Sequence, residues 1–344
     1  MKRFASLFTQ DLLISWRSGI VLIVVLLLTV MSALILFLPR EIKVHNELIL
    51  DTSPDTPLAA YLRELGVDEG VVYTDEAAFR ADLERQPNKV GVVFSGGLDA
   101  PAFEIITNSA IPEANLRLLE ASLDRAMLEL RGTAQDTLPV EYLRPVSPPP
   151  AFNVRFVPVI IIFEVALLGF LIAAVMMFQE KQEATLRAYR VSPAGAWEYI
   201  LSKNALFVVL SFAYGLPLLF LAFGLDFDLP LLLLLIALSS LLMTTLSLAI
   251  AVFFNNLSEW FFAGVAILVL NSLPMISFGL PAFAPAWLTW IPSYPSVFAI
   301  RDVLFNGATF GDILPTILYL TVLTALAFAA AYVAIRYKLL KESR

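Results

Sequence analysis

The chain has 344 residues, 59% of them hydrophobic and 15% charged, and its mean hydropathy is +0.79. A soluble domain is nearer half apolar and a quarter charged, so this is the composition of a polytopic membrane protein. There is no cysteine and one histidine, His45, which excludes disulfides and thiolate catalysis and argues against a histidine-based metal or catalytic centre. The net charge of −7 is unevenly spread. Residues 40–152 hold nineteen acids against ten Lys and Arg, a balance of −9, which leaves +2 for the rest. No basic face for nucleic acid is present.

Residues 2–17 read KRFASLFTQDLLISWR. Phe4, Phe8, Leu12 and Trp16 recur every fourth residue with Leu7 beside them, which predicts a cytoplasmic interfacial helix over 1–17. The first span follows within 18–39. Its apolar run exceeds a signal-peptide core and FLPREIK offers no small-residue cleavage site, so it reads as a retained anchor.

Residues 40–152 read as an inserted extracytoplasmic α/β domain. NELILDT, GVVYT, KVGVVFSGG and AFEIITN have strand character, the last two as a hairpin. PLAAYLRELG, DEAAFRADLERQ and IPEANLRLLEASLDRAMLELRG have helical character. In the last of these, Leu116, Leu119, Leu123, Met127 and Leu130 share one face. RPVSPPPAF is a stiff tether back to the membrane. The scattered carboxylates form no spaced catalytic pair.

Residues 153–344 hold five more apolar stretches of about 20 residues, enough to span a bilayer: 156–178, 205–223, 229–254, 260–280 and 313–335. The expected fold is an α-helical polytopic membrane protein with six transmembrane helices. Lys2, Arg3, Arg17, Lys181, Arg187, Arg190, Lys203, Arg336, Lys338, Lys341 and Arg344 flank the spans on one side. The short segments of the other side carry only Arg301. The positive-inside rule then places both termini and the 180–203 segment in the cytoplasm and residues 40–152 outside.

Charge inside the spans is sparse. Glu164 lies eight residues past Phe156, about 12 Å along a helix. It lines a pathway, or it sits near the outer interface if the span begins later. Asn271 is a weaker case of the same kind. Ser239, Ser240, Thr244, Thr245 and Ser247 suit close helix packing. Gly215 and Pro217 predict a bend in the third span. Residues 281–303 are aromatic but carry Pro281, Pro285, Pro292 and Pro295, too many for a straight span. They predict an external re-entrant or broken helix, with Trp287, Trp290 and Tyr294 at headgroup level.

The stretch EKQEATLRAYRVSPAGAWEYILSKN resembles the cytoplasmic signature of ABC-2-type exporter permeases. Glu180, Glu183, Thr185, Leu186, Ser192, Pro193 and Lys203 match the pattern, with Ala184 where a glycine is usual. Pro274, Phe278, Gly279, Pro281, Trp287, Pro292, Pro295, Arg301 and Gly307 resemble the same family's broken helices before the last span. The order of parts fits across the whole chain, and the large insert places it nearer the drug-, lipid- or peptide-exporting branch.

The resemblance implies a non-enzymatic permease subunit in the bacterial inner membrane, exporting hydrophobic or amphipathic cargo. It pairs with a second permease, as a homo- or heterodimer within membrane lipid, and each permease sits on a cytoplasmic ABC ATPase. An envelope adaptor protein is a further potential partner. The sequence has no G-x-x-x-x-G-K-[ST] phosphate loop, so ATP and Mg belong to the partner chain and this chain carries no cofactor. Glu180, Glu183, Thr185, Leu186, Arg187, Arg190 and Pro193 are then the ATPase-coupling residues. The segment from Glu180 to Arg190 is expected to be a short helix with Glu183 and Arg187 paired. Ser192 and Pro193 would restart a helix that runs along the interface as far as Lys203. An ion-coupled secondary transporter, or a non-transporting anchor or sensor with an external binding domain, are the alternatives.

Overall fold

The computed structural model describes residues 2–40, 47–52, 71–86, 89–95, 102–107, 113–130, 150–183 and 195–338. The chain divides into two compact units, Ile42–Pro145 and, flanking it in sequence, Met1–Glu41 with Val146–Arg344.

The larger unit is helical. Helix α1 (Lys2–Arg17) leads through Gly19, whose φ of 79° is a left-handed turn that suits glycine, into α2 (Ile20–Phe37). After the smaller unit, the short α5 (Phe152–Arg155) runs into α6 (Val157–Ala166), a π-helical turn (Leu167–Ile172) and α7 (Ala173–Gln182). Next come α8 (Ala196–Phe223), α9 (Leu229–Ala251) and α10 (Leu257–Gly279). A 3-10 turn (Ala286–Trp290), α11 (Ser293–Phe305) and α12 (Phe310–Lys338) complete it. Six of these helical stretches are long and apolar enough to cross a membrane, as the sequence predicts. They are α2, α5 to α7 taken together, α8, α9, α10 and α12.

The helix starts follow local chemistry. Asp228 caps α9 by accepting from the Leu231 N–H at 3.1 Å. Asn256 caps α10 by accepting from Glu259 at 2.9 Å. Helix α9 packs at the centre against α6 to α8, α11 and α12. Its small polar residues make the contacts. Ser240 accepts from Ser211 at 3.1 Å and Ser239 donates to Ser296 at 3.1 Å. Thr245 and Asn204 exchange hydrogen bonds of 2.9 and 3.1 Å. These side chains are all buried. Serine and threonine are small enough to let backbones approach, and each satisfies its hydroxyl across the contact.

One sequence expectation changes here. Helix α8 is continuous from Ala196, so residues 196–203 do not form a separate interfacial piece. Tyr199, Ser202 and Lys203 are buried by neighbouring helices instead. Pro217 lies inside α8 without ending it. Gly215 serves packing, because a Cβ there would meet Ile236 Cδ1 at 3.3 Å.

The smaller unit is built on a four-stranded sheet, β1 (Glu47–Asp51), β2 (Val72–Tyr73), β3 (Val90–Ser95) and β4 (Ala102–Thr107), in the order β2-β1-β3-β4. Strand β1 pairs parallel with β2 and β3, and β3 pairs antiparallel with β4. Helix α3 (Glu76–Arg85), capped by Asp75, lays Phe79 and Leu83 on Leu48, Leu50 and Val71. Gly91 is required beneath it, since a Cβ would come within 2.5 Å of the Phe79 ring. Helix α4 (Glu113–Leu130) puts Met127 against Phe94, with Ile49 and Phe103 beside them. Leu116, Leu119 and Leu123 of the predicted face are half-buried and Met127 is buried. The helix expected for PLAAYLRELG falls outside the described residues.

Candidate functional site

The densest charge in the helical unit is buried at the end of the bundle that holds α1. Lys203, about two turns into α8, is 0% exposed. Its ammonium donates to Asp11 Oδ1 at 2.6 Å and to Glu180 Oε1. Ser202 donates to Asp11 Oδ2 at 2.5 Å, and the Tyr199 hydroxyl donates to Glu180 Oε2 at 2.7 Å. Lys203 also lies 5.5 Å from the centre of the Tyr199 ring. Both oxygens of each carboxylate are therefore occupied. A buried charge is tolerated only when paired and fully hydrogen-bonded, and here one cation serves two acids. The cluster joins three pieces of chain: α1, the end of α7 and the start of α8.

Helix α1 is positioned for this by its sequence. Phe4, Leu7, Phe8 and Ile14 are half-buried with Asp11 and Ser15 buried among them. Leu12 and Trp16 stay exposed, Trp16 by 71%. The apolar stripe of the sequence reading is thus shared between two directions, and the polar Asp11 marks the centre of the packed face. An acid at that register, between Phe8 and Ile14, is the signal that sequence reasoning passed over.

The residue after Glu180 points elsewhere. Lys181 donates to the carbonyls of Ala251, Val252 and Phe254 at 3.0, 3.3 and 2.6 Å. It caps the C-terminal end of α9, where orphan carbonyls and the helix dipole favour a cation. The Lys181 ammonium sits 5.0 Å from the Phe178 ring centre. Consecutive residues at the end of α7 therefore grip different neighbours, Glu180 the α1–α8 pair and Lys181 the end of α9.

Glu180 is consequently an interior residue, 6% exposed, and differs from the surface carboxylate that the sequence suggests. Glu183 is exposed and forms the turn that closes α7. Thr185, Leu186, Arg187, Arg190, Ser192 and Pro193 lie outside the described residues. On the far side, Gly195 caps α8, and its N–H donates to Glu198 Oε2 at 2.5 Å.

Deeper in the bundle, Glu164 on α6 is 4% exposed, so it faces protein and not lipid. The π-helical turn starts three residues later. Ser247 takes up its Phe170 carbonyl at 2.5 Å, and Gly169 lets Thr244 approach. Asn271 is buried and donates to the Ile267 carbonyl at 3.0 Å, while its own carbonyl accepts from Ser293 at 2.5 Å. Pro274 in α10 leaves the carbonyl one turn earlier without its usual partner, a normal setting for such polar side chains.

The proline-rich stretch after α10 begins with Pro281 and is built of the 3-10 turn and α11. Pro292 occupies the N-cap position of α11 and Pro295 falls in its first turn. Proline is tolerated there because those N–H groups have no helical partner. Leu288 is buried, while Trp287 and Trp290 are exposed. Arg301 pairs with Asp302 at 2.7 Å and covers the Phe298 ring at 4.5 Å. Arg301 and Asn271 do not join the charged cluster. Among the described residues no three His, Asp or Glu side chains gather as a metal set.

Compared with known proteins, the chain matches the family model described as ABC-2 family transporter protein over residues 14–333. The chain belongs to the ABC-2 transporter family. Two relatives of this ABC-2 protein are the fluoroquinolones export permease proteins of the Oshkosh and H37Rv strains of Mycobacterium tuberculosis. Each is 28% identical over 119 residues, which cover 35% of this chain and 50% of the relative. The chain thus spans about half the length of the curated relatives it matches. No solved structure matches it. The ABC-2 match begins within α1 and ends within α12, so it includes Glu180 and Lys203 of the buried cluster and leaves Asp11 just before its start.

Proposed function

We propose that this chain is the membrane-spanning subunit of an ATP-driven exporter, moving a hydrophobic or amphipathic cargo out of the cytoplasm or inner leaflet. The observation that carries this reading is the ABC-2 match over residues 14–333. Two features support it. Six helices are long and apolar enough to span a membrane. The sequence has no phosphate loop of its own, so the ATPase is a partner chain. The relatives' names add fluoroquinolones to the candidate cargoes.

In this reading the buried cluster lies at the cytoplasmic end, as the distribution of Lys and Arg dictates. The α/β unit is then extracytoplasmic. The partner ATPase docks on the segment after Glu183, through Thr185, Leu186, Arg187, Arg190 and Pro193. Displacement of that segment reaches α1 and α8 through Glu180 and α9 through Lys181, because each is tied by buried or charge-assisted hydrogen bonds. The functional complex holds a second permease subunit, so that two ATPases can close on each other beneath two permeases. Its lipid-facing surfaces are the exposed apolar side chains of α2 and α12.

Purification from native membranes, followed by reconstitution into vesicles, tests this. An ATPase should co-purify, and cargo efflux should require ATP with the proton gradient collapsed. Efflux that stops on collapse of the gradient while ATP is intact would show an ion-coupled carrier and sink the proposal.

A further inference from the structure

Among the described residues, Glu164 is the one acidic side chain in the middle of a spanning helix. Among the described residues, the cations Arg17, Arg40, Arg155, Lys181, Lys203, Arg301, Arg336 and Lys338 all lie away from the middle of a spanning helix. Counting from Arg155, Glu164 lies nine residues along, about 14 Å, near the middle of a hydrocarbon core of about 30 Å. Its Oε1 is buried with no hydrogen-bond partner. On α8, which packs against α6, the Tyr214 hydroxyl is also buried without a partner, in the same core cluster as Val165 and Leu168. The nearest turn of α8 offers nothing further, because the Ser211 hydroxyl is already engaged with Ser240. Ile161, Ile162, Val165 and Leu168 around Glu164 belong to the apolar core.

Buried polar atoms in native proteins are almost always paired, and the exceptions call for a reason. An ionised carboxylate here has no counter-charge among the described residues, and a cation arriving from outside would supply one. Intramembrane acids of this kind mark ligand or ion pathways.

We propose that Glu164 and Tyr214 form a recognition site for the positively charged group of an amphipathic cargo, a reading that rests on the exporter function above. With cargo bound, the carboxylate meets the cation, the phenol turns to donate to the carboxylate, and the surrounding Ile and Val side chains take the apolar body. In the present state the site is closed by packing.

The test uses the full chain in phosphatidylcholine nanodiscs. Medium- to long-chain alkyltrimethylammonium ions are the probes, with alcohols of the same chain lengths as neutral controls. The wild type should bind the cations more tightly than the alcohols. Glu164→Gln should weaken cation binding at least about tenfold and leave the alcohols within twofold, and Tyr214→Phe should give a smaller loss in the same direction. Glu164→Asp should restore part of the cation preference. Equal affinity for cation and alcohol in the wild type, or a Glu164→Gln variant with wild-type cation affinity, would overturn the proposal. Sodium binding that depends on Glu164, together with alkyltrimethylammonium binding no tighter than that of the alcohols, would show an inorganic cation as the true ligand and would also overturn it. Cation binding that depends on Glu164, combined with an absence of ATP-driven efflux, would keep the site and remove the exporter reading.

Discussion

Lys203 on α8 donates to Asp11 on α1 at 2.6 Å, across 192 positions of sequence. The same ammonium holds Glu180 on α7, so three segments of the helical unit meet at one buried cation. A pair of charges in water is worth little, but here solvent is excluded and every oxygen has a donor.

Lys203→Met should therefore cost more than Asp11→Asn. The first change strands two buried carboxylates and is expected to cost about 3–5 kcal/mol. The second leaves Lys203 paired with Glu180 and should cost about 1–3 kcal/mol. Thermal unfolding of the detergent-solubilised variants measures both. Equal losses would mean that the lysine is not shared. In the reconstituted complex, Asp11→Asn should also lower transport per ATP hydrolysed, because α1 is loosened from Lys203, the residue that also holds Glu180 of α7.

Lys181→Met removes the cation that caps α9. Charge-assisted hydrogen bonds are worth about 1.5–3 kcal/mol, and the loss should be local. Amide exchange at residues 251–254 should accelerate while exchange in α1 stays as in the wild type. Uniform acceleration through the bundle would refute a local capping role.

Gly169 sits within the π-helical turn, and a Cβ there would lie 3.0 Å from Thr244 Oγ1 and 3.2 Å from the Thr244 backbone nitrogen. Backbone yields less than a side-chain tip. Gly169→Ala should cost about 1–3 kcal/mol by overpacking, and Thr244→Ala in the same chain, which removes Oγ1, should not fully relieve it. Recovery of full stability in the double variant would place the clash on the side chain alone.

In the α/β unit, Tyr73 donates to Asp82 at 2.7 Å, and Gln86 donates to the same carboxyl. The Tyr73 hydrogen bond is the first cause that holds the Asp82 carboxyl below its ordinary 3.8, with the Gln86 bond second. A depressed carboxylate stabilises the fold above its unfolded value, and the effect is lost as pH falls through the lower folded value. Local protection of α3 should thus decline only below about pH 3.8 in the wild type. The Asp82→Asn variant should lack that decline, which exchange measured across pH would reveal. The same bond raises the Tyr73 phenol above 10.0, so its contribution persists to alkaline pH.

Much of this architecture was legible in the residues themselves. Six apolar stretches of spanning length could be counted because water-to-lipid transfer acts on each segment separately. The α/β alternation of the insert, the face of α4 carrying Met127, and the small polar stripe of α9 followed from period alone. The family resemblance rested on short motifs and was met by the match over residues 14–333.

The partners of charged residues were not legible in the same way. Glu180 and Lys181 are neighbours in a polar run, and sequence gives both the same solvated look. In the folded chain one turns to Lys203 and Tyr199 and the other to the carbonyls ending α9. Likewise Asp11 reads as an interruption of an interfacial stripe until α8 brings Ser202 and Lys203 to it. Hydropathy and periodicity are sums over nearby residues, so the sequence alone determined which segments leave water. Pairing of buried charges depends on which helix faces come together and at what height, and only the tertiary structure decided that.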